Sequence, residues 1–349
     1  MKKKCMTFLP LLILLLLCSM PVMAFDDDSW GEAFHSLNSD GYTYDCYRYG
    51  SNMCVIYGVD MGQMRTWNVP STLPSYEGDK TVIGVVAPKN DNPFYYVNCE
   101  GVEKVQSVTF PNTIQVIGKG AFSSCENLTE VHFPERSSME IQDGAFADCI
   151  KLKTITFPAG SDVFGRAVEG CFALETIYNA PGGLSMGEVD LDEGAVYPKL
   201  REVYIMSGET EVSGFSGYVM SGGSSTDACG VPYLSKVVLP EGVETITMGA
   251  FENCTALTSI NFPKSLKEIE NSAFAGCTNL RVSVNHPGNL TYQYVNSGIE
   301  NITITFDPNA DYRTLFPSGF IGCKNLKSIN IVNGGTGFKS VDGVLYSVC

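Results

Sequence analysis

Residues 121–134 read Ala-Phe-Ser-Ser-Cys-Glu-Asn-Leu-Thr-Glu-Val-His-Phe-Pro, and the same arrangement of a small residue, an aromatic residue, a cysteine and a leucine returns along the chain. Successive copies stand about 23 residues apart, and a fixed period of this length is the sequence signature of a repeat architecture. The copies place their aromatic residue, cysteine and leucine at Phe122, Cys125 and Leu128; Phe146, Cys149 and Leu152; Phe251, Cys254 and Leu257; Phe274, Cys277 and Leu280; and Phe320, Cys323 and Leu326.

Each leucine opens a run of alternating apolar and polar residues that usually ends in proline, as in Leu152 to Pro158. This period of two predicts a short strand with one buried face, and the proline ends it because it cannot donate a ladder hydrogen bond. One unit cannot bury its own apolar face, so neighbours must stack. The sequence predicts a β-rich leucine-rich-repeat solenoid. We expect a parallel sheet on one face, short helical or irregular turns on the other, and a small β cap at the N-terminus.

The repeated cysteine falls where each coil turns into its strand. We expect its thiol to point inward, to pack as a small hydrophobe and to donate a weak hydrogen bond to a backbone carbonyl. The repeat cysteines are therefore predicted to be buried and unpaired. Metal ligation, nucleophilic catalysis and disulfide formation are the alternatives.

The Ala-Phe-x-x-Cys-x-x-Leu-x-x-Ile-x-Phe-Pro unit resembles the BspA-like leucine-rich repeat of bacterial and some protozoan surface proteins. The resemblance covers approximately residues 99–346, and Trp67 to Gly84 resembles the entry segment of that family. It implies a solenoid fold and a role in adhesion, host-cell contact or other binding.

The N-terminus is typical of a secretory signal peptide. Three lysines, Lys2 to Lys4, precede an apolar stretch from Phe8 to Leu17, and small residues end at Ala24. We predict a signal peptide over residues 1–24, cleaved after Ala24, and a secreted or cell-surface protein. Lipidation at Cys18 is the alternative, and no integral membrane span is expected.

The rest of the chain divides into a predicted β cap and entry segment, residues 25–98, and a solenoid, residues 99–349. The cap contains a predicted hairpin in which Cys46 and Cys54 flank a turn and can form a disulfide, with Cys99 as a competing partner. The repeat becomes irregular at 175–233 and 285–311. The first irregular stretch is rich in glycine and serine, which is typical of a flexible loop or a projected binding loop.

Composition excludes several function classes. We predict no nucleic-acid partner, because the net charge of −15 would repel phosphates. The three histidines have no metal-ligand spacing, and Cys-x-x-Cys is absent. We therefore predict no enzyme activity, no metal and no cofactor.

A binding surface can be read from the strand pattern instead, since the third and fifth residues of each run should face outward. Tyr178 and Tyr204 occupy that position in neighbouring coils, and exposed tyrosines suit a binding hot spot. The alternative to a binding role is that the two aromatic side chains only pack on each other. The predicted binding residues are Tyr178, Tyr204, Glu130, His132, Thr176, Glu202 and Lys236.

The sequence thus predicts an exported binding module whose partner is a protein or glycan on host matrix or a cell surface. Two other hypotheses stay open. One is a secreted hydrolase with its site in the irregular coils, and the other is a structural fragment of a longer repeat protein, which would explain the lack of a polar terminal coil. The oligomeric state is not predicted.

Overall fold

A computed structural model describes residues 31–37, 42–60, 62–63, 65–75, 77–88, 99–135, 138–190, 198–221, 224–287, 292–305, 317–332, 338–341 and 344–347. The predicted signal peptide, residues 1–24 with Cys18, lies outside these residues. In the part of the chain that is described, no helix is long and apolar enough to span a membrane.

The N-terminal segment builds antiparallel strands onto the first coil. The first three strands are paired antiparallel in sequence order, and the predicted hairpin is the pair of the second and third. The third strand also pairs in parallel with the sixth, which joins the segment to the solenoid. The strands are β1 (Ala33–Leu37), β2 (Thr43–Tyr49), β3 (Met53–Asp60), β4 (Thr66–Asn68), β5 (Thr72–Leu73) and β6 (Lys80–Val85).

The regular coils that follow each contribute two short strands, one to each side of the solenoid. These strands are β7 (Ser107–Thr109), β8 (Val116–Ile117), β9 (Glu130–His132), β10 (Glu140–Ile141), β11 (Thr154–Thr156), β12 (Asp162–Val163) and β13 (Thr176–Ala180). We call the side that carries the strands following the repeat leucines the front, and the opposite side the back. On the front, β4, β7 and β9 pair in parallel, and so do β11 and β13. The predicted parallel front sheet is therefore confirmed. On the back, where turns were expected, β6, β8, β10 and β12 form a second parallel ladder.

The first irregular stretch is largely β-structure and not the loop that its glycine and serine content suggested. Its strands are β14 (Gly183–Asp190), β15 (Glu202–Ile205), β16 (Glu211–Val212), β17 (Gly214–Ser221) and β18 (Ser224–Gly230). Strand β17 pairs in parallel with β14 and in antiparallel with β18, which makes an inserted three-stranded sheet. The sequence did not predict this sheet, because glycine is depleted in strands and a glycine-rich segment shows no clear strand pattern.

The last coils resume both ladders. Their strands are β19 (Lys236–Val238), β20 (Thr245–Ile246), β21 (Ser259–Ile260), β22 (Glu268–Ile269), β23 (Ser283–Pro287), β24 (Asn301–Thr305), β25 (Ser328–Val332), β26 (Phe338–Val341) and β27 (Val344–Ser347). The front order continues β13, β15, β19, β21, and the back order is β16, β20, β22. The second irregular stretch still places β23, β24 and β25 in one parallel sheet. An antiparallel hairpin of β26 and β27 follows.

Backbone hydrogen bonds from coil to coil hold the corner between the back and front strands. The amide of Phe122 donates to the carbonyl of Ala145 at 2.7 Å, and that of Phe146 donates to Ala167 at 2.8 Å. This repeating bond explains why the small-aromatic dipeptide recurs in register without a helix. The described residues contain only two 3-10 turns, at Val102–Lys104 and Pro317–Phe320.

The core lies between the two ladders. At the corner it contains a stack of aromatic rings. Phe122 and Phe146 stack at 5.4 Å between ring centroids, and Phe251 and Phe274 at 5.5 Å. Trp67 covers the N-terminal end of the first stack, 6.0 Å from Phe122. Each ring is fully buried. This buried stack holds the front strands in position relative to one another.

Candidate binding surface

The front strands present two straight rows of outward side chains, because parallel pairing aligns equivalent residues of successive coils. Thr154, Thr176, Glu202 and Lys236 share one row. Thr156, Tyr178, Tyr204 and Val238 share the other. On β4, β7 and β9 the corresponding rows are Thr66, Ser107 and Glu130, and Asn68, Thr109 and His132. We call these two rows the front surface.

Tyr178 and Tyr204 face each other across the pairing of β13 with β15. Their rings stack with centroids 4.8 Å apart and an interplanar angle of 22°. Neighbouring parallel strands are themselves about 4.8 Å apart. The two rings can therefore stack without either side chain leaning toward the other strand. Tyr178 is 40% exposed despite the stack. Tyr204 is partly buried, so the pair offers a partner an aromatic contact area that is already ordered and has little entropy to lose.

Glu202 and Lys236 complete a polar network around Tyr204. The Tyr204 hydroxyl donates to Glu202 Oε2 at 2.7 Å, and Lys236 Nζ donates to that hydroxyl at 2.6 Å. Lys236 Nζ also lies 3.5 Å from the Glu202 carboxylate and 4.7 Å from the centre of the Tyr204 ring, within range of a cation–π contact. The network fixes Tyr204 while leaving its members at the surface.

The protonation of this network follows from its hydrogen bonds. The bond from Tyr204, and then the charge of Lys236, hold the pKa of the Glu202 carboxyl below its usual value. The bond with Tyr204, with the Glu202 charge, raises the pKa of the Lys236 ammonium. Both groups therefore stay charged around neutral pH, and the surface keeps one cation and one anion beside the aromatic pair.

The other predicted binding residues lie on the same face but apart from this network. Thr176 stands beside Glu202 in the first row. Glu130 and His132 are exposed on β9, with the imidazole Nε2 3.4 Å from the carboxylate. The structure thus brings together Tyr178, Tyr204, Glu202, Lys236 and Thr176, and leaves Glu130 and His132 on the far side of β11.

The structural repeat residues lie inside the solenoid. Phe122, Cys125, Leu128, Phe146, Cys149, Leu152, Phe251, Cys254, Leu257, Phe274, Cys277 and Leu280 are buried, and Phe320, Cys323 and Leu326 of the last copy are partly buried. The thiols of Cys149, Cys171 and Cys277 donate to the carbonyls of Phe122, Phe146 and Phe251 at 3.3, 3.0 and 3.0 Å. Burial raises the pKa of the Cys149 and Cys277 thiols well above the usual value. Such thiols are poor nucleophiles, since the thiolate is the reactive form.

The disulfide predicted between Cys46 and Cys54 is not formed in the structure, where both are free, buried thiols. The strand register accounts for this, because Cys46 lies opposite Ile56 and Cys54 opposite Arg48. The two cysteines are therefore diagonal neighbours, not direct cross-strand partners. A hydrogen bond with the Cys54 thiol, together with burial, raises the pKa of Cys46. Cys99, the competing partner, is also a free buried thiol.

Sequence reasoning missed how Glu202, Tyr204 and Lys236 connect. The signal was present, because Glu202 and Tyr204 stand two residues apart on one strand and Lys236 occupies the Glu202 position one coil later. Aligning the coils by row would have brought the three together. As to metals, the described residues contain no group of three or more His, Cys, Asp and Glu side chains that could hold an ion.

Solved structures similar to this chain are bacterial leucine-rich repeat proteins. The T. pallidum leucine-rich repeat protein is 22% identical, with 73% of this chain and 90% of that chain covered and a TM-score of 0.37. One from Bacteroides capillosus is 25% identical, with 39% and 92% covered and a TM-score of 0.30. A leucine-rich cell surface protein from Faecalibacterium prausnitzii is 21% identical, with 90% and 96% covered and a TM-score of 0.29. Among curated proteins, none matches the chain.

The family model for the BspA type leucine-rich repeat region matches six copies in this chain, over residues 94–186 and 229–341. The two matched stretches make up more than half of the chain, and they flank the coils that carry the inserted sheet. The match agrees with the repeat pattern, the parallel front ladder and the cysteine-lined corner. The chain therefore belongs to the family of BspA-type leucine-rich repeat proteins.

Proposed function

We propose that this protein is an exported binding module whose front surface recognises a protein or glycan on host matrix or on a cell surface. The observation that carries the proposal is the stacked pair of Tyr178, which is exposed, and Tyr204, which is partly buried, on the parallel front sheet. Tyrosine and arginine dominate the residues that contribute most to binding energy in interfaces. Two tyrosines that are already stacked lose little freedom when a partner covers them.

The neighbourhood of the pair also favours recognition. Lys236 and Glu202 supply a cation and an anion that can orient a partner beside the rings. The inserted sheet of β14, β17 and β18 replaces the usual corner in the two coils that lead into β15 and β19. Binding residues often lie next to such departures from a regular scaffold, because insertions there do not disturb the core. The most irregular part of the solenoid and the stacked tyrosine pair thus share the same coils.

Export and surface location rest on two separate supports. The sequence of residues 1–24 is typical of a cleaved signal peptide. The BspA-type repeat, which the chain carries in six copies, resembles that of bacterial surface proteins. A protein released outside the cell by this route would meet matrix proteins, mucins and other cell surfaces.

The test is a binding screen with purified protein from residue 25 onward. The panel comprises matrix proteins, mucins and intact cells, and the variant carries Tyr178→Ala and Tyr204→Ala together. Saturable binding by the wild type that is lost in the variant is the expected result. An absence of binding to every member would contradict the proposal, and a screen for hydrolase activity would follow. Binding that the variant retains in full would also contradict it, because the partner would then use another face.

A further inference from the structure

Next to Tyr178 the front surface has a gap in its row of large side chains. Between Tyr178 on β13 and His132 on β9, the outward residues of β11 are Thr154 and Thr156, both exposed. We name the space bounded by His132, Thr154, Thr156 and Tyr178 the front notch. Tyr178 stands one parallel strand spacing, about 4.8 Å, from Thr156, and His132 lies on the other side of β11, on the neighbouring strand β9.

The front ladder is interrupted at the same place. Strand β9 ends one hydrogen-bonded group, β4–β7–β9, and β11 begins the next, β11–β13–β15–β19–β21. All residues of β9 and β11 are described, and their facing edges share no ladder pairing. The floor of the front notch therefore lies beside the one break in hydrogen-bonded pairing among the described front strands from β4 to β21.

Tyr178 turns one free face toward this space. One side of its ring is covered by Tyr204, its sole ring contact among the described residues. The register places Thr156 directly beside Tyr178 on the other side. A threonine is too short to cover a phenol ring, so that face is open to a ligand. The Tyr204 ring differs, because the ammonium of Lys236 lies over it.

The geometry points to a neutral pyranose ring of a glycan as the occupant, and we propose that the front notch binds one. This deepens, and rests on, the proposed binding function. The face of an aromatic ring is negative, so it attracts the polarised C–H groups on the face of a sugar ring. The Thr154 and Thr156 hydroxyls and the His132 imidazole can donate to or accept from sugar hydroxyls, and the neighbouring Glu130 carboxylate can accept from them.

Composition and charge favour this occupant over a protein side chain or an acidic glycan. A protein hot spot normally enters a desolvated apolar pocket, whereas three of the four residues in the front notch are polar and exposed. No lysine or arginine is among the four, and the chain carries a net charge of −15. Sulfated or sialylated chains would be repelled by this charge and would find no cation in the notch.

The experiment uses a printed array of neutral, sialylated and sulfated oligosaccharides, followed by titration of the preferred free glycan. The variant is Thr156→Tyr, which fills the notch with a third ring and leaves Tyr178 and Tyr204 in place. Its matched control is Thr72→Tyr, an exposed strand position on β5 that lies outside the front surface. We expect saturable binding to neutral glycans, a loss of at least tenfold in affinity for Thr156→Tyr, and unchanged affinity for Thr72→Tyr.

Binding restricted to sulfated or sialylated glycans, equal affinity of the Thr156→Tyr variant and the wild type, or no glycan binding would each overturn the notch proposal. These failures are separable from failure of the front surface as a whole. If a matrix protein still binds the wild type, and the tyrosine double variant does not, the proposed function stands and only the glycan assignment falls. Thermal unfolding of both threonine variants at the wild-type temperature shows that each one is folded.

Discussion

The thiol of Cys171 donates a hydrogen bond to the carbonyl oxygen of Phe146, one coil earlier, at 3.0 Å. The same bond recurs from Cys149 to Phe122 and from Cys277 to Phe251. The repeated cysteine therefore has two tasks, since it fills a small buried space and it satisfies a carbonyl at the corner. A buried carbonyl left without a partner typically destabilises a protein by about 1–3 kcal/mol.

Replacing Cys171 tests whether the donor or the apolar volume matters more. We expect Cys171→Ser, which keeps a donor, to be more stable than Cys171→Ala by about 1 kcal/mol, because alanine leaves the Phe146 carbonyl without this bond. Urea unfolding of the two variants, compared with the wild type, gives the difference. A more stable alanine variant would show that the thiol acts only as a small hydrophobe.

Alkaline pH should weaken the fold through the buried thiols. Burial, with a smaller contribution from the charge of Glu103, raises the pKa of Cys125 from 9.0 to about 12. Below pH 9 the thiol is protonated in both the folded and the unfolded chain, so its contribution to the free energy of unfolding is fully present. Between pH 9 and about 12 only the unfolded chain releases the proton, so the free energy of unfolding falls.

Thermal midpoints between pH 7 and 11 measure this loss. Lysine and tyrosine ionisation also contributes in that range, so the control is a Cys125→Ser variant measured in the same buffers. That variant should have a lower thermal midpoint than the wild type at pH 7. Its midpoint should fall by less between pH 7 and pH 11. An identical loss in the two proteins would show that Cys125 does not carry the alkaline sensitivity.

Glycine at the corner is required by a neighbour as well as by the backbone. Gly276 has a φ of 72°, and a Cβ there would overlap the side-chain oxygen of Asn253 in the preceding coil. Gly249 has a similar φ of 69°, but the nearest atom to its Cβ would be the flexible Glu252 carboxylate at 3.4 Å. Gly249→Ala should therefore cost about 1–2 kcal/mol, the usual penalty of left-handed backbone.

Gly276→Ala should cost more than Gly249→Ala, by about 1 kcal/mol or more, because it adds the overlap. Adding Asn253→Ala to Gly276→Ala should recover part of that difference, which a double-mutant cycle of unfolding free energies detects. Equal effects of the two glycine substitutions would contradict the stacking of Asn253 on Gly276.

The repeat register itself can be tested at Phe251. This ring is fully buried and stacks on Phe274 at 5.5 Å. Phe251→Ala opens a cavity in the corner stack and should cost about 3–5 kcal/mol. Met248→Ala in the same coil is the control, since Met248 is 69% exposed and should change stability little. Unchanged thermal stability of Phe251→Ala would refute the register.

The sequence predicted the front of this protein far better than its back. The run from Leu152 to Pro158 alternates over enough residues to define a strand and its buried face. Back strands such as β8 (Val116–Ile117) and β10 (Glu140–Ile141) have only two residues each, too few for any period to be visible. They form because stacked coils align their backbones, which is a property of neighbours and not of one segment.

The candidate site shows the same limit. The outward position of Tyr178 and Tyr204 follows from alternation along each strand. Lys236 and Tyr204 are 32 positions apart in the sequence, and the inserted hairpin of β17 and β18 lies between them. The pattern within one coil does not reveal this contact, which is found only when successive coils are aligned across the insertion.

The most direct test of the front surface is one comparison of dissociation constants for the ligand that the binding screen identifies. The proteins are the wild type, the Tyr178→Ala/Tyr204→Ala variant, and a Phe164→Ala/Met248→Ala variant that removes two exposed apolar side chains following the back strands. We predict at least a hundredfold weaker binding for the tyrosine variant and less than a threefold change for the back variant. The reverse order, or equal losses in both, would contradict recognition by the front surface.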